Sequence, residues 1–313
     1  MNRTILFAAL ATLSAGTTFA QSEVSLYGRL NTSLERQKVG TASATSVLQN
    51  NASRLGFKGS EDLGGGLKAG FQLEHGFNVD NGAQTQANFW ARQSEFNLGG
   101  AFGTVRVGNF TSEAYYATAD YVSLHNHDTG TSSDALYAYI GRNTNKIGYR
   151  APEFTPGLSL EAAASLSEGA ANTDRSYDLA ANYAKGPLQL GAGYEKNGNQ
   201  NQFAARGLYE IGAFTVGGYV QRDKNGFASG SRTTLRLSGM YLMGLHEIHA
   251  NVGRAGDYGN VANSSATQYT LGYNYNLSKR TKAFAFYTKL NDSAAAVYGG
   301  DFSSIALGMR HNF

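Results

Sequence analysis

From Val24 to the C-terminus, apolar and polar side chains alternate in runs of about ten residues, and a turn follows each run. The first run places Val24, Leu26, Leu30 and Leu34 on one face and Ser25, Tyr27, Arg29 and Asn31 on the other. The last sets Ile305, Leu307, Met309, His311 and Phe313 against Ser304, Ala306, Gly308, Arg310 and Asn312. Side chains two positions apart share one face of a strand, so the chain reads as all-β. Sixteen such segments can be marked along it. Short turns (Gly99-Gly100, Gly186-Pro187, Met243-Gly244, Leu277 to Arg280) alternate with longer polar connections at 36–52, 77–88, 196–201, 223–231, 255–266 and 291–301. The three prolines fall in turns or at strand ends, where a missing donor does least harm.

A soluble two-sheet sandwich would show the same alternation. Four features favour a bilayer-spanning barrel instead. The segment count is even, connections alternate short and long, segments run ~9–11 residues, and Tyr and Phe gather at segment ends. The physical cause is backbone satisfaction. Hydrocarbon offers no partner to an N–H or C=O, so the sheet must close and leave no edge. The expected fold is a 16-stranded antiparallel transmembrane β-barrel, and a barrel of ~16–18 strands leaves a water channel. Inward-facing Arg29, Lys58, Glu74, Arg106, Lys146, Arg150, Arg206, Glu210, Arg232 and Arg236 make sense only if that lumen is wet.

One long segment resists the alternating pattern: residues 111–142. It carries Glu113, Asp120, Asp128 and Asp134 against one basic residue, Arg142, with five tyrosines between. Loops longer than ~12–15 residues without regular structure are usually functional or disordered. This loop is expected to fold into the lumen and narrow it.

The N-terminus differs from everything after it. Arg3 precedes an apolar core from Ile5 to Ala15, and Thr18-Phe19-Ala20 offers small residues at a cleavage site. Residues 1–20 are expected to be a secretory signal peptide, with a barrel domain at 21–313. Composition then narrows the function classes. The net charge of +3, from 26 basic and 23 acidic residues, gives no basic field of the size nucleic acid needs. There is no cysteine, which removes disulfide scaffolds and thiolate metal or redox sites.

Several stretches are together specific. They are Leu26-Tyr27-Gly28, the run from Ser53-Arg-Leu-Gly-Phe-Lys-Gly-Ser-Glu-Asp-Leu-Gly-Gly-Gly-Leu-Lys to Ala69, Phe71-Gln-Leu-Glu74, Arg92-Gln93, Phe102-Gly-Thr-Val-Arg-Val-Gly108, and the ending Gly308-Met-Arg-His-Asn-Phe313. In this order the chain resembles the Gram-negative general porins, especially the 16-stranded trimeric type of β-proteobacterial and neisserial outer membranes. The resemblance covers the whole mature chain. It implies a passive, cofactor-free channel in the cell outer membrane, with the third extracellular loop folded inward as the constriction. It also implies a homotrimer embedded in outer-membrane lipid, and Phe313 as the terminal signal read by the outer-membrane assembly machinery. Two departures stand out. The family often has Gly-Arg-Gln where this chain has Gly108-Asn109-Phe110, so one basic group near the constriction is missing. Arg92 shares the strand parity of Phe96 and Leu98, so either a bulge resets the strand or Arg92 faces a subunit interface.

The functional expectation is facilitated diffusion of ions and small hydrophilic solutes, without chemistry. Glu113, Asp120 and Asp128 on the loop would oppose Arg29, Arg54, Lys58, Arg92, Arg106 and Arg150 on the wall. Opposed charges across a narrow gap set up a transverse field. The basic excess on the wall points to mild anion preference; each arginine could instead pin the loop through a salt bridge. Other chemistries are weaker. His125-Asn-His127-Asp128 lacks a distant metal ligand, so no metal is expected. His246 and His249, three apart on a strand, would point to opposite faces. An outer-membrane lipase or protease built on Ser123, His125 and Asp120, and an adhesive or structural barrel, remain the alternatives.

Overall fold

The computed structural model describes residues 23–119, 129–169 and 174–313. The expected export signal and Tyr121, Ser123, His125 and His127 lie outside these residues, as do Asp120 and Asp128.

Seventeen strands form one antiparallel sheet that closes on itself. In chain order they are β1 (Glu23–Val39), β2 (Thr45–Asn50), β3 (Arg54–Gly64), β4 (Leu67–Gly76), β5 (Gln93–Gly100), β6 (Gly103–Asn109), β7 (Lys146–Arg150), β8 (Leu158–Ser165) and β9 (Ser176–Lys185). They continue as β10 (Leu188–Asn197), β11 (Gln200–Ile211), β12 (Phe214–Lys224), β13 (Ser231–Met243), β14 (His246–Ala255), β15 (Ala266–Asn276), β16 (Thr281–Asp292) and β17 (Phe302–Asn312). One short helix, α1 (Glu113–Thr118), precedes β7.

β2 and β3 are two parts of one stave. Both pair with β1, at Thr32↔Asn50 and Arg29↔Arg54, so the barrel has the expected sixteen staves. The break between them is a bulge. Ala52 takes a positive φ of 59°, the Asn51 N–H donates to the Asn31 carbonyl at 2.8 Å, and the Asn31 N–H donates to Ser53 Oγ at 3.0 Å. Closure comes from β17 pairing with β1 over Arg29↔Asn312 to Val39↔Phe302. The terminal residue extends it: the Phe313 N–H donates to the Gly28 carbonyl at 3.1 Å, and the Gly28 N–H returns a bond to the Phe313 carbonyl at 3.0 Å. The Phe313 ring lies over Gly28, where a Cβ would collide with it.

The faces are inverted relative to a soluble protein. Leu237 and Leu307 on the outer surface are each 68% exposed, whereas Arg232 and Arg236 inside are 1% exposed. That pattern is stable only with hydrocarbon outside.

Three connections differ from the expectation. The 36–52 stretch is mostly strand, because β1 continues to Val39 and β2 resumes at Thr45. Its polar residues face the lumen or the rim, where polarity does not break a strand. The 196–201 stretch is a two-residue turn at 198–199 with Gly198 at φ 57°; glycine at the first of the two loop positions favours this tight hairpin. β5 begins at Gln93, so Arg92 precedes the strand and its parity does not apply.

Candidate functional site

Register fixes which side chains enter the lumen. Across β1, β3, β4, β5, β6, β7 and β8 the inward rows include Arg29 and Arg54, Lys58 and Gln72, Glu74 and Gln93, Glu95, Arg106, Lys146, Arg150 and Glu161. The connection from β6 to β7 folds inward over this wall and docks at three places.

The first is α1. Ser112 caps it by accepting from the Tyr115 N–H at 3.3 Å. Its buried face, Ala114, Ala117 and Thr118, rests on a floor of small inward residues. A Cβ at Gly191 would overlap the Ala117 carbonyl, and one at Gly193 would crowd Ala114. Only a wall without side chains lets the helix backbone approach this closely.

The same helix carries Glu113. Arg106 Nη1 donates to Glu113 Oε1 at 2.8 Å and to Glu161 Oε1 at 2.8 Å, and its Nε donates to Glu95 Oε1 at 2.9 Å. Arg150 reaches Glu113 at 2.7 Å and Glu161 at 2.9 Å. Arg106 is buried among three carboxylates and the Phe110 ring, while the Arg150 side chain is 44% exposed and still faces water. Both arginines therefore hold the loop directly.

The second docking place is the segment 133–142, which runs along the inner wall from β15 back to β8. Its backbone finds side-chain amides where a neighbouring strand would have offered backbone. Gln268 Oε1 accepts from the Ala135 N–H at 2.9 Å and its Nε2 donates to the Ser133 carbonyl at 2.8 Å. Gln221 brackets Ala138 in the same way, at 2.8 and 3.0 Å. Arg232 Nη2 donates to the Leu136 carbonyl at 2.5 Å while its Nε holds Asp223 at 2.7 Å. Arg236 Nη2 donates to Asp134 Oδ1 at 2.5 Å, and the Tyr219 hydroxyl donates to the other oxygen of Asp134. Thr118 donates to the Ala114 carbonyl at 2.7 Å, so the buried Tyr137 hydroxyl donates to Thr118 and accepts from Gln202 at 3.1 Å. Burial, and then the nearby Glu195 carboxylate, pushes the Tyr137 hydroxyl well above the ordinary tyrosine range.

The third is the one-turn segment Gly130–Ser132. Thr131 donates to the buried Glu35 carboxylate on β1, which also accepts from Ser33 and Ser304 at 2.8 Å each. Gly130 packs against Asn51 of the β2–β3 bulge. The loop thus has anchors on the walls on either side of the lumen.

The remaining basic residues lie away from these anchors. Arg29 and Arg54 stand directly opposite one another across β1 and β3. Arg92 reaches into the lumen to Glu74 at 2.6 Å, and Arg54 lies 3.8 Å from the same carboxylate. Arg92 therefore faces the channel without a bulge in β5 and not a subunit interface. Lys58 sits lower, over the Tyr27 ring at 5.5 Å, lining a cavity of about 630 Å³ near the short-turn end with Lys68, Gln72 and Asn97. Lys282 and Arg310 face one another across β16 and β17. The anchors Asp134, Gln202, Tyr219, Gln221 and Gln268 were not expected as site residues. Their sequence signal is a set of inward-parity glutamines on β11, β12 and β15, unusual because a fully buried amide needs a dedicated partner.

A model of the Gram-negative porin family matches residues 7–295. The chain belongs to this family. Outer membrane porin protein 32 of Delftia acidovorans is 30% identical, with 97% of this chain and 98% of that protein covered. Major outer membrane protein P.IB of Neisseria lactamica is 27% identical, covering 96% and 98%. Among solved structures, the anion-selective porin from Comamonas acidovorans superposes with a TM-score of 0.76 at 25% identity, over 94% of this porin and 100% of that chain. This porin is an outer-membrane channel for passive diffusion of small hydrophilic solutes. Its third long connection, between β6 and β7, is the one folded inward.

Proposed function

We propose that the porin passes anions in preference to cations, and that Arg29, Arg54 and Arg92 on the β1–β4 wall supply the field. Like charges placed directly across a strand pair destabilise a sheet. Arg29 opposite Arg54 is therefore a cost to folding with a return elsewhere, and this pair is the observation that carries the reading. Lys282 opposite Arg310 repeats it two strands away. On the adjoining strands β5 to β8, Glu113 with Glu95 and Glu161 outnumbers Arg106 and Arg150, so the two stretches of wall differ in net charge and set a field between them. In this reading Lys58 gathers anions below the narrowest level. The solved anion-selective porin named above supports the same sign. A zero-current potential across a potassium chloride gradient is expected to take the sign set by chloride; the sign set by potassium would overturn the assignment.

The outward faces of β3 and β4, with the connection after them, carry an aromatic cluster. His75 stacks on Phe89 at 3.9 Å, Phe89 meets Trp90 edge-on at 4.7 Å, and Trp90 reaches Phe57 at 6.3 Å. In our reading this face joins three copies into a trimer. Phe313, locked onto Gly28 at the barrel seam, is read as the signal for the assembly machinery. Deleting Phe313 is expected to leave the protein outside the membrane, and normal insertion of the deletion variant would remove that role. No bond-making step belongs to this function; ester or peptide turnover by the purified protein would contradict it.

A further inference from the structure

Three of the long connections meet on one rim: 225–230 after β12, 256–265 after β14 and 293–301 after β16. Each sends one aromatic ring to the same guanidinium. The central carbon of Arg232 lies 4.8 Å from the centre of the Phe227 ring, 5.1 Å from that of Tyr258 and 5.2 Å from that of Tyr298. The Phe227 and Tyr298 rings also meet, with centres 5.3 Å apart. Arg232 is buried while Phe227 is exposed, so the box of rings reaches from a covered charge to the water at the rim.

On its other sides Arg232 holds Asp223 and donates to the Leu136 carbonyl of the inward loop. Among the described residues its Nη1 meets no hydrogen-bond acceptor. Ring faces are the partner left to that part of the charge. Asp223 links the box to itself. Its second oxygen accepts from the Tyr258 hydroxyl at 2.6 Å, and that hydroxyl accepts from the Phe227 N–H at 2.9 Å.

Two further contacts join the same connections to the loop. Leu136 is fully buried among Ala255, Ala266 and Leu290, and Tyr298 packs against this cluster. Gly226 lies over Ala138, where a Cβ at position 226 would come within 2.7 Å of the Ala138 Cβ.

We propose that Phe227, Tyr258 and Tyr298 position the constriction from the rim. None of them lies on the inward loop, and no one connection makes the box alone. Arg232 keeps its hold on Leu136 only while all three connections are folded together around it. The connections and the inward loop therefore shift as one unit, and a change at the rim becomes a change in current. This inference rests on the inward loop setting the width of the channel, not on the preference for anions.

The purified full-length porin is recorded as single channels in a planar bilayer. Phe227→Leu and Tyr298→Leu keep apolar bulk and remove a ring face. Each is expected to raise the share of time spent at a higher conductance by about tenfold, the population shift that goes with losing a desolvated cation–π contact. Tyr298→Phe keeps the ring, and the hydroxyl it drops has no hydrogen-bond partner among the described residues, so the parental current is expected. Gly226→Val pushes directly on Ala138 and is expected to alter the current as well. Rings that only stabilised the fold would lower the heat-resistance of the barrel and leave the current of assembled channels alone. Arg236→Ala, which frees the same loop from the wall side, is the reference. If it raises conductance while both leucine variants conduct as the parent does, the rings do not position the loop. The proposal also fails if Tyr298→Phe behaves as Tyr298→Leu does. If Arg236→Ala is silent too, the inward loop does not set the width, and the role of the rings falls with it.

Discussion

Replacing Arg236 by alanine is expected to release the inward-folded loop and raise single-channel conductance. The guanidinium is fully buried, and it gives Asp134 its charge partner at 2.5 Å while also bonding Asn251 at 2.6 Å and Gln268 at 2.7 Å. Its loss strands a buried carboxylate that still accepts from the Leu136 N–H and the Tyr219 hydroxyl. Removing one partner of a buried pair costs ~3–5 kcal/mol. The cost falls on a segment that is held by side-chain contacts to the wall and not by a strand ladder, so the loop yields before the barrel does. Conductance should rise and fluctuate, while the heat-resistance of the folded barrel changes less. Pairing Arg236→Gln with Asp134→Asn removes both charges together and should return the channel toward its original conductance. A single variant that conducts as the parent does would show that this pair does not position the loop.

The second large effect concerns selectivity. Arg54→Gln with Arg92→Gln leaves Glu74 without the two arginines that approach it at 3.8 and 2.6 Å. A permeating chloride then meets the Glu74 carboxylate alone where it had met that carboxylate with two cations beside it. At ~4 Å in water a unit charge contributes ~1 kcal/mol, and more beside a low-dielectric wall. Each lost arginine therefore lowers the anion's permeability and raises the cation's by about fivefold each, a shift of roughly thirtyfold in their ratio. The zero-current potential in a potassium chloride gradient should move toward the cation side by that combined amount. Arg106→Gln should behave differently, because Arg106 is surrounded by Glu95, Glu113 and Glu161 and its removal unpins α1. If the Arg54 and Arg92 changes leave the potential where it was, the field does not originate on this wall.

Much of the barrel was legible from the alternation of side chains, because a period of two with oil on one face and water on the other has few solutions. Strand ends were less legible. Arg36 to Lys38 read as a loop on polarity, yet these residues lie inside a wet lumen or at a charged rim, where a strand tolerates polarity. The loop at 111–142 was visible as a break in the pattern, but its anchors were not. Gln202, Gln221 and Gln268 lie far from it in sequence, and their inward parity shows only that they face the lumen, not which part of the loop each will hold. Arg92 was ambiguous because parity applies only within a strand, and the strand begins one residue later. The dual use of arginine was also hidden: Arg106 and Arg54 look alike in the sequence, and only their neighbours make one an anchor and the other a source of field.

The central claim, that the connection after β6 folds into the lumen, with α1 on β9 to β11 and the Gly130–Ser132 turn on the β1–β3 wall, can be tested with a single thiol pair. The chain has no native cysteine, so the background is clean. Gly130 of the loop packs against Asn51 of the β2–β3 bulge. Gly130→Cys with Asn51→Cys should oxidise to a disulfide in the intact outer membrane and leave conductance close to that of the reduced channel, since the bond fixes a contact already made. Failure to cross-link, or a bond whose formation sharply reduces the current, would contradict the account.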